Sequence, residues 1–388
     1  MQPLAGITVV ACEQAVAAPF ATRQLADLGA RVIKVERPGR GDFARDYDAT
    51  VHGQSSHFVW LNRSKESVVL DLKDDADRAR LLGLVDTADV FVENLAPGAA
   101  ARLGLGEALR ETRPRLVTCS VSGYGTGGDL EQAKAYDALI QAEAGTISVT
   151  GTPAEPAKAG IPVADIAGGT AAFSGILAAL LHRERTGVGT HVAVSLFDAL
   201  VEWMGHPMYY ALYSGTPPPR AGTSHAAIAP YGIFAAGDGT AFMLSVQNER
   251  EWADFCTHVL ADDPAAPGSV ATDPRFAGVA ARVAHRDALH VTIDAVLRTL
   301  DGPGLEGRLQ AGRIAHSRVR GVEDLRTHPQ LAQRDRWRVV RTPGGPVDAV
   351  LPAIGLTGLV PRMDPVPALG EHQALLSPRA DEASHRRG

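Results

Sequence analysis

Cysteine is scarce in this chain. Cys12, Cys119 and Cys256 are the only three among 388 residues, far apart, without C-x-x-C spacing and with no histidine pattern nearby. A disulfide framework and a thiolate zinc site are therefore not expected, and the three read as small core residues in a reducing cytoplasm. A surplus of positive charge is also missing. With 38 Lys and Arg against 44 Asp and Glu the formal charge is −6, so no general field draws the chain to nucleic acid or to an anionic membrane. An anionic ligand then has to be held by a local basic site. The most apolar stretch, residues 171–181, is too short and too rich in small residues to span a bilayer, and the first residues lack the basic and apolar regions of a signal peptide.

Several nucleotide and catalytic signatures are absent as well. The turn after the first strand reads "ACEQAVAAP" and holds no glycine. A dinucleotide site needs G-x-G-x-x-G there, so that backbone can approach a pyrophosphate. Glu36 at the end of the second strand would suit a ribose, but strands often end in acids, and NAD is not expected. No G-x-x-x-x-G-K-[ST], H-E-x-x-H or G-x-S-x-G occurs either, and no metal is expected.

What remains is a strong alternation. "GITVVAC", "ARVIKVE", "ESVVLDL", "DVFVENL" and "RLVTCSVS" are β-branched runs separated by helical patterns such as "PFATRQLADLG" and "DDADRARLLGLVDTA". Strands parted by helices of this length imply an α/β fold with an open, doubly wound, Rossmann-like parallel sheet. A length of 388 residues with 45% hydrophobic content implies two lobes. Residues 1–200 form the expected large domain. A Pro/Gly/Ser-rich linker covers 201–224 and a smaller α+β domain covers 225–320. In that domain "AFMLSVQ" reads as a strand and "REWADFCTHVL" as a helix. Residues 321–388 are again punctuated by Pro and Gly.

Two features carry chemistry. Arg37, Lys73, Arg102 and Lys134 recur at element ends. Singly each reads as a solvated charge; together they could hold a phosphorylated ligand at the carboxyl ends of parallel strands. Asp165, in "GIPVADIAGG", stands where a long apolar helix opens. At such a position a carboxylate can cap the helix for about 1 kcal/mol. It can also be a nucleophile kept ionised by the helix dipole, with Gly168 and Gly169 leaving room for an acyl group. The residues alone leave both roles open.

Several segments, in order along nearly the whole chain, resemble the class III CoA-transferases, the group that contains formyl-CoA and carnitine CoA-transferases and the α-methylacyl-CoA racemases. They are "PFATRQLADLGARVIKVERPGRGDFAR", "LNRSKESVVLDLK", "ADVFVENLAPGAAARLGL", "KAYDALIQAEAG", "GTHVAVSLFDAL", "HPQLAQRDRW" and "PALGEHQ". The resemblance implies an interlocked homodimer, a C-terminal segment returning to the large domain, and coenzyme A as co-substrate. It implies that Asp165 carries the acyl group, and that Arg37, Leu70, Lys73, Asn94, Arg102 and Lys134 contact coenzyme A. Where the racemases have His–Asp this chain has Tyr136–Asp137, which looks like the transferase branch, because Tyr is poorly matched to proton transfer. Tyr136 reads equally as a group orienting the thioester and as a plain aromatic.

Val16 stands where formyl-CoA transferase has a glutamine, and "GTSHAAIAPYG" replaces its glycine run. His206, Tyr209, Tyr210, Arg220 and His225 are candidates to recognise a second carboxylate on succinyl, mesaconyl or citramalyl groups. The expected activity is acyl-CoA:carboxylate CoA transfer through an aspartyl intermediate. Intramolecular transfer within one diacid, racemisation, and a non-catalytic CoA-binding protein are the alternatives.

Overall fold

Six β-branched runs form one parallel sheet in the computed structural model, which describes residues 1–377. The strands are β1 (Thr8–Cys12), β2 (Arg31–Glu36), β3 (Lys65–Val69), β4 (Val90–Glu93), β5 (Val117–Ser122) and β6 (His191–Ser195). Their order is β3-β2-β1-β4-β5-β6 and every neighbouring pair is parallel. The continuous apolar runs follow from this, since helices cover both faces and β1, β2 and β4 are almost wholly buried. Chain direction across the sheet reverses between β1 and β4. The carboxyl ends at that switch point frame a crevice.

The covering helices are α1 (Ala17–Asp27), α2 (Ser56–Leu61), α3 (Asp75–Val85), α4 (Ala99–Arg102) and α5 (Asp137–Glu143). After α6 (Thr146–Val149) come α7 (Val163–Thr186) and α8 (Leu196–Trp203). α7 starts upstream of the paired glycines, directly after Pro162, and ends at Gly187. There a φ of 79° and an N–H donated to the Arg183 carbonyl close the last turn. At 24 residues it is longer than the 171–181 stretch suggested, and apolar enough to cross a bilayer by length and composition. Instead it packs on α1, α5, α8, β5 and β6. Gly168 and Gly169 explain how closely. A Cβ on Gly169 would meet the Ala17 carbonyl oxygen at 2.5 Å, and one on Gly168 would meet Leu196 at 2.4 Å. The glycines make room for α1 and α8, which corrects their reading as space for an acyl group.

The chain folds as two compact units. The first comprises Met1–Gly145, Ala159–Gly205 and the described residues from Ala332 onward. It holds the six-stranded sheet and the hairpin of β10 (Trp337–Thr342) and β11 (Gly345–Val350). Near the C-terminus, Gln373 donates to the Val69 carbonyl and accepts the Val69 N–H, and the His372 N–H binds the Ser67 carbonyl. This strap covers the exposed edge of β3.

The second unit comprises Thr146–Lys158 and His206–Leu331, so the 146–158 segment belongs to it and not with the rest of residues 1–200. β7 (Tyr231–Ala235), β8 (Ala241–Ser245) and β9 (Ala315–Arg318) form its antiparallel sheet. α9 (Gly205–Ser214) precedes the sheet in the chain. α10 (Glu249–Asp254), α11 (Val279–Ala284), α12 (Arg286–Leu297) and α13 (Gly302–Ala311) complete the unit. Its core is built on Phe234, Phe242, Trp252, Phe255, Leu289 and Ile293. The fully buried Arg282 is paired with Glu249 at 2.9 Å and binds the Ala229 and Phe276 carbonyls.

Candidate functional site

A cavity of about 320 Å³ opens at the carboxyl ends of β1, β2 and β3, within the range of small-molecule sites. Its interior is apolar, with Val35, Leu70, Leu72, Leu95, Ala99 and Leu103, and the exposed Arg37 and Lys73 belong to its wall. Arg37 donates from Nε to the Gly41 carbonyl at 2.7 Å and stacks over Phe43, 4.1 Å from the ring centre. Gly41 has a φ of 70°, and a Cβ there would meet Glu36 Oε2 at 2.6 Å. Only glycine lets the loop press so close. An apolar slot with cations on its wall fits coenzyme A, whose adenine faces and pantetheine methylene and methyl groups are apolar and whose phosphates are anionic.

Beneath the cavity lies a charge network that the strand patterns did not announce. Lys34 and Lys65 point inward from β2 and β3 and are fully buried. Glu13 meets Lys65 at 2.7 Å and Lys34 at 3.4 Å, and accepts from Thr22 at 2.6 Å. Asp42 meets Lys34 at 2.7 Å and accepts the Ala15 and Ala44 N–H groups. Glu36 is clamped by Arg45 and Ser67. Burial opposes each of these charges, and the partners decide the outcome. Glu13 is held below its usual range by Lys65 and Lys34. Lys34 is held above its own by Asp42, Glu13 and Glu36, and Glu36 falls to about 2. Lys65 is the exception: burial first, then repulsion from Lys34, bring it to about 8 in spite of Glu13.

The loop from Glu13 to Val16 leads from this wall into α1, which packs on α7. Asn94, at the end of β4, accepts the Gln14 N–H at 2.8 Å and donates to the Gln14 carbonyl at 2.9 Å. Its amide therefore braces the loop, and it is Leu95 and Ala96 beside it that line the cavity. The first residues of α1 then lie against Gly169, one turn beyond Asp165. The braced loop thus sets the start of α1 against α7, one turn beyond the candidate nucleophile.

Asp165 is the third residue of α7, and it does not cap the helix. Asp137, the first residue of α5, does so from across the unit. Its Oδ1 accepts the Ala164 N–H at 2.8 Å and the Asp165 N–H at 3.3 Å. Gln141 holds the other oxygen at 2.7 Å and accepts the Ala159 N–H at 2.8 Å. Among the described residues no hydrogen bond reaches the Asp165 carboxylate. Burial, and then the charge of Asp137, raise it from 3.8 to about 7. A helix dipole contributes ~0.3–1 kcal/mol, less than the ~1.36 kcal/mol of one pKa unit, and cannot cancel that rise. The expectation of a carboxylate kept ionised by the helix terminus is corrected accordingly: near pH 7 it is poised between two states.

The remaining candidates are distributed unevenly. Arg102 and Lys134 are exposed in the first unit, outside the cavity wall, with Arg102 at the end of α4 next to the lining residue Leu103. Tyr136 is exposed at the N-cap of α5, directly before Asp137. His206, Tyr209, Tyr210, Arg220 and His225 belong to the second unit. There His225 stacks on Tyr231 at 5.1 Å, and Arg220 donates to the Thr152, Ser148 and Pro153 carbonyls, which makes it a staple for the 146–158 segment. Sequence reasoning missed Tyr47. Its phenol is raised by burial and by Asp42, Asp165 and Tyr136, so it feels both the cavity wall and the α7 acid. The signal available was an aromatic shortly after "PGRGD".

Residues 4–373 match the family model described as CoA-transferase family III. The chain is 36% identical to the acetyl-CoA:oxalate CoA-transferase of Acetobacter aceti, over 89% of this chain and 88% of that one. It is 34% identical to the succinate–glutarate CoA-transferase of Agrobacterium fabrum, over 96% and 94%. Identity to the succinyl-CoA:mesaconate CoA-transferase of Haloarcula hispanica is 33%, over 97% and 96%. Among solved structures, a CaiB/BaiF family protein from Brucella suis superposes with a TM-score of 0.85 at 32% identity, covering 99% of both chains. With a family match spanning nearly its whole length, this chain belongs to CoA-transferase family III and is a CoA-transferase.

Proposed function

We propose that the chain is an acyl-CoA:carboxylate CoA-transferase in which Asp165 is the nucleophile, acting on short dicarboxylic acyl groups. The substrate range is supported by relatives named for oxalate, succinate, glutarate, mesaconate and citramalate. The observation that carries the mechanism is the unbonded Asp165 carboxylate, raised to about 7 at the start of α7. An oxygen lone pair of Asp165 attacks the donor thioester carbonyl, the C–S bond breaks, and an acyl-aspartyl anhydride and CoA thiolate result. The thiolate attacks the aspartyl carbonyl of the anhydride and releases the donor carboxylate, leaving an aspartyl-CoA thioester. An acceptor carboxylate attacks this thioester, and the same two steps run in reverse. Overall one CoA thioester is exchanged for another of similar energy, so the task of the protein is to position the groups and to keep water from the reactive intermediates.

The role of Arg37, Leu70 and Lys73 in this reading is to hold the adenine and phosphates, with Arg102 and Lys134 as further cations for the phosphates. Tyr136 and Tyr47 flank the acyl group. His206, Tyr210 and His225 are the candidates for its second carboxylate, and the chain works in the cytoplasm. The exposed Met208, Tyr209, Leu212 and Tyr213 of α9 support a homodimer, which sedimentation at micromolar concentration tests directly. Asp165→Asn is expected to abolish transfer while acyl-CoA binding persists. Hydroxylamine added with acyl-CoA is expected to mark the Asp165 peptide of the wild type, read by mass spectrometry. Wild-type turnover in the variant refutes the assignment.

A further inference from the structure

The polar groups of the cavity wall are nearly all engaged. Glu13 and Asp42 are held by the buried lysines, Glu36 by Arg45, and the Asp71 carboxylate accepts the Lys73 N–H at 3.0 Å. Gln14 differs. Its side-chain oxygen is buried and has no donor, although the residue lines the cavity. A buried acceptor left unpaired is costly, so its persistence needs a reason.

The backbone around it is over-determined. Asn94 binds both the N–H and the carbonyl of Gln14. The next residue, Ala15, sits in the left-handed region at φ 60° while Asp42 takes its N–H. A non-glycine residue adopts that conformation only when its surroundings enforce it. Gln14 therefore has a fixed backbone and an open side-chain acceptor, on the cavity segment that leads into α1 and so toward α7.

We propose that Gln14 Oε1 accepts a hydrogen bond from a secondary amide N–H of the pantetheine arm of bound coenzyme A, fixing the arm along the path to Asp165. This rests on the reading of the cavity as the coenzyme A site and of Asp165 as the nucleophile. The arm carries two amides and one hydroxyl between methylene and gem-dimethyl groups, and the apolar lining of the cavity supplies contacts for the latter. Gln14 is then a specificity-determining residue for the thioester carrier and leaves the choice of acyl group to others.

The test is a cycle of variant and substrate. Acyl-pantetheine is compared with two analogues, each with one amide NH replaced by CH₂, in the wild type and in Gln14→Leu. In the wild type one analogue is expected to lose about three- to tenfold in kcat/KM, the worth of one hydrogen bond. Gln14→Leu is expected to lose a similar factor with the parent substrate and nothing further with that analogue. Gln14→Met, of the same length and without the acceptor, repeats the cycle should the Leu variant not reach wild-type circular dichroism and Tm. Equal discrimination in wild type and variant, or none in the wild type, overturns the proposal. Hydroxylamine labelling of the wild type with acyl-pantetheine separates the two failures. A labelled Asp165 peptide with a flat cycle sinks only the Gln14 inference; an unlabelled one sinks the nucleophile as well.

Discussion

Replacing Asp137 by Asn removes one negative charge and keeps an acceptor oxygen facing the first turn of α7. Asp165 stands at about 7 instead of 3.8 for two reasons, burial and then Asp137. Burial is the larger, so the charge of Asp137 accounts for less than half of a rise of roughly three pKa units. Its loss should bring Asp165 down by about one unit, worth ~1.4 kcal/mol in the balance between its two forms. The titratable groups that face Asp165 are Asp137 on α5 and Tyr47 on the loop after β2, with Tyr136 beside them; of these only Asp137 is a carboxylic acid. The acid limb of kcat/KM follows the ionisation of the free nucleophile. In the wild type that limb is expected near pH 7, and in Asp137→Asn about one unit lower, so the variant gains relative activity at pH 6. Asp137→Ala removes the cap too and should also lower stability by about 1 kcal/mol. The assay is chromatographic measurement of acyl-CoA exchange from pH 5 to 9, with thermal melts alongside. A limb that stays in place in Asp137→Asn refutes the electrostatic coupling and reduces Asp137 to a helix cap.

Two further outcomes follow from packing and linkage. Gly169→Ala forces a Cβ to within 2.5 Å of the Ala17 backbone oxygen and should cost about 1–3 kcal/mol, whereas Gly83→Ala in α3 meets nothing within 4 Å and should stabilise by about 0.5–1 kcal/mol; denaturant melts of both variants give the contrast. Asp165 binds its proton more tightly folded than unfolded, so its contribution to stability falls as pH rises from about 4 to about 7 and is flat above. Asp165→Asn should therefore be more stable than the wild type at pH 8, by up to about 4 kcal/mol, and show little gain at pH 4, read from urea midpoints at the two values.

Much of the sheet was legible because buried parallel strands show as uninterrupted apolar runs, and "GITVVAC" and "DVFVENL" could hardly be anything else. The position of Asp165 at a helix start was legible from Pro162 and the apolar stretch that follows. Its isolation from backbone donors was not. The group that takes those donors, Asp137, lies 28 positions away from Asp165, and nothing local links them. Lys34 and Lys65 were hidden for a similar reason. A lysine inside "VIKVE" reads as a charge reaching solvent, and only the return of Glu13 and Asp42 to the same point allows both to be buried. Asn94 shows a role that no local pattern announces, since its amide braces the Gln14 backbone 80 positions away. Paired glycines announce that something approaches closely. They do not say whether it is a substrate or, as at Gly168 and Gly169, two neighbouring helices.

The arrangement at α7 has a chemical logic under the proposed reaction. A helix start offers free N–H groups, and a carboxylate placed there to stabilise the fold would take them. Here they go to Asp137, and Asp165 is left in a partly buried place beside a like charge, a position that opposes folding at neutral pH. The exchange runs between a carboxylate, whose acid has a pKa of about 4.3, and a thiol of about 8.5. An aspartate near 3.8 would expel a thiolate with difficulty, because it would be much the better leaving group of the two. Raised to about 7, it stands between the two partners, so neither the anhydride nor the thioester becomes a deep trap. Under the proposed reaction, stability given up in the first turn of α7 thus narrows the gap between the two leaving groups of an exchange that must run in both directions.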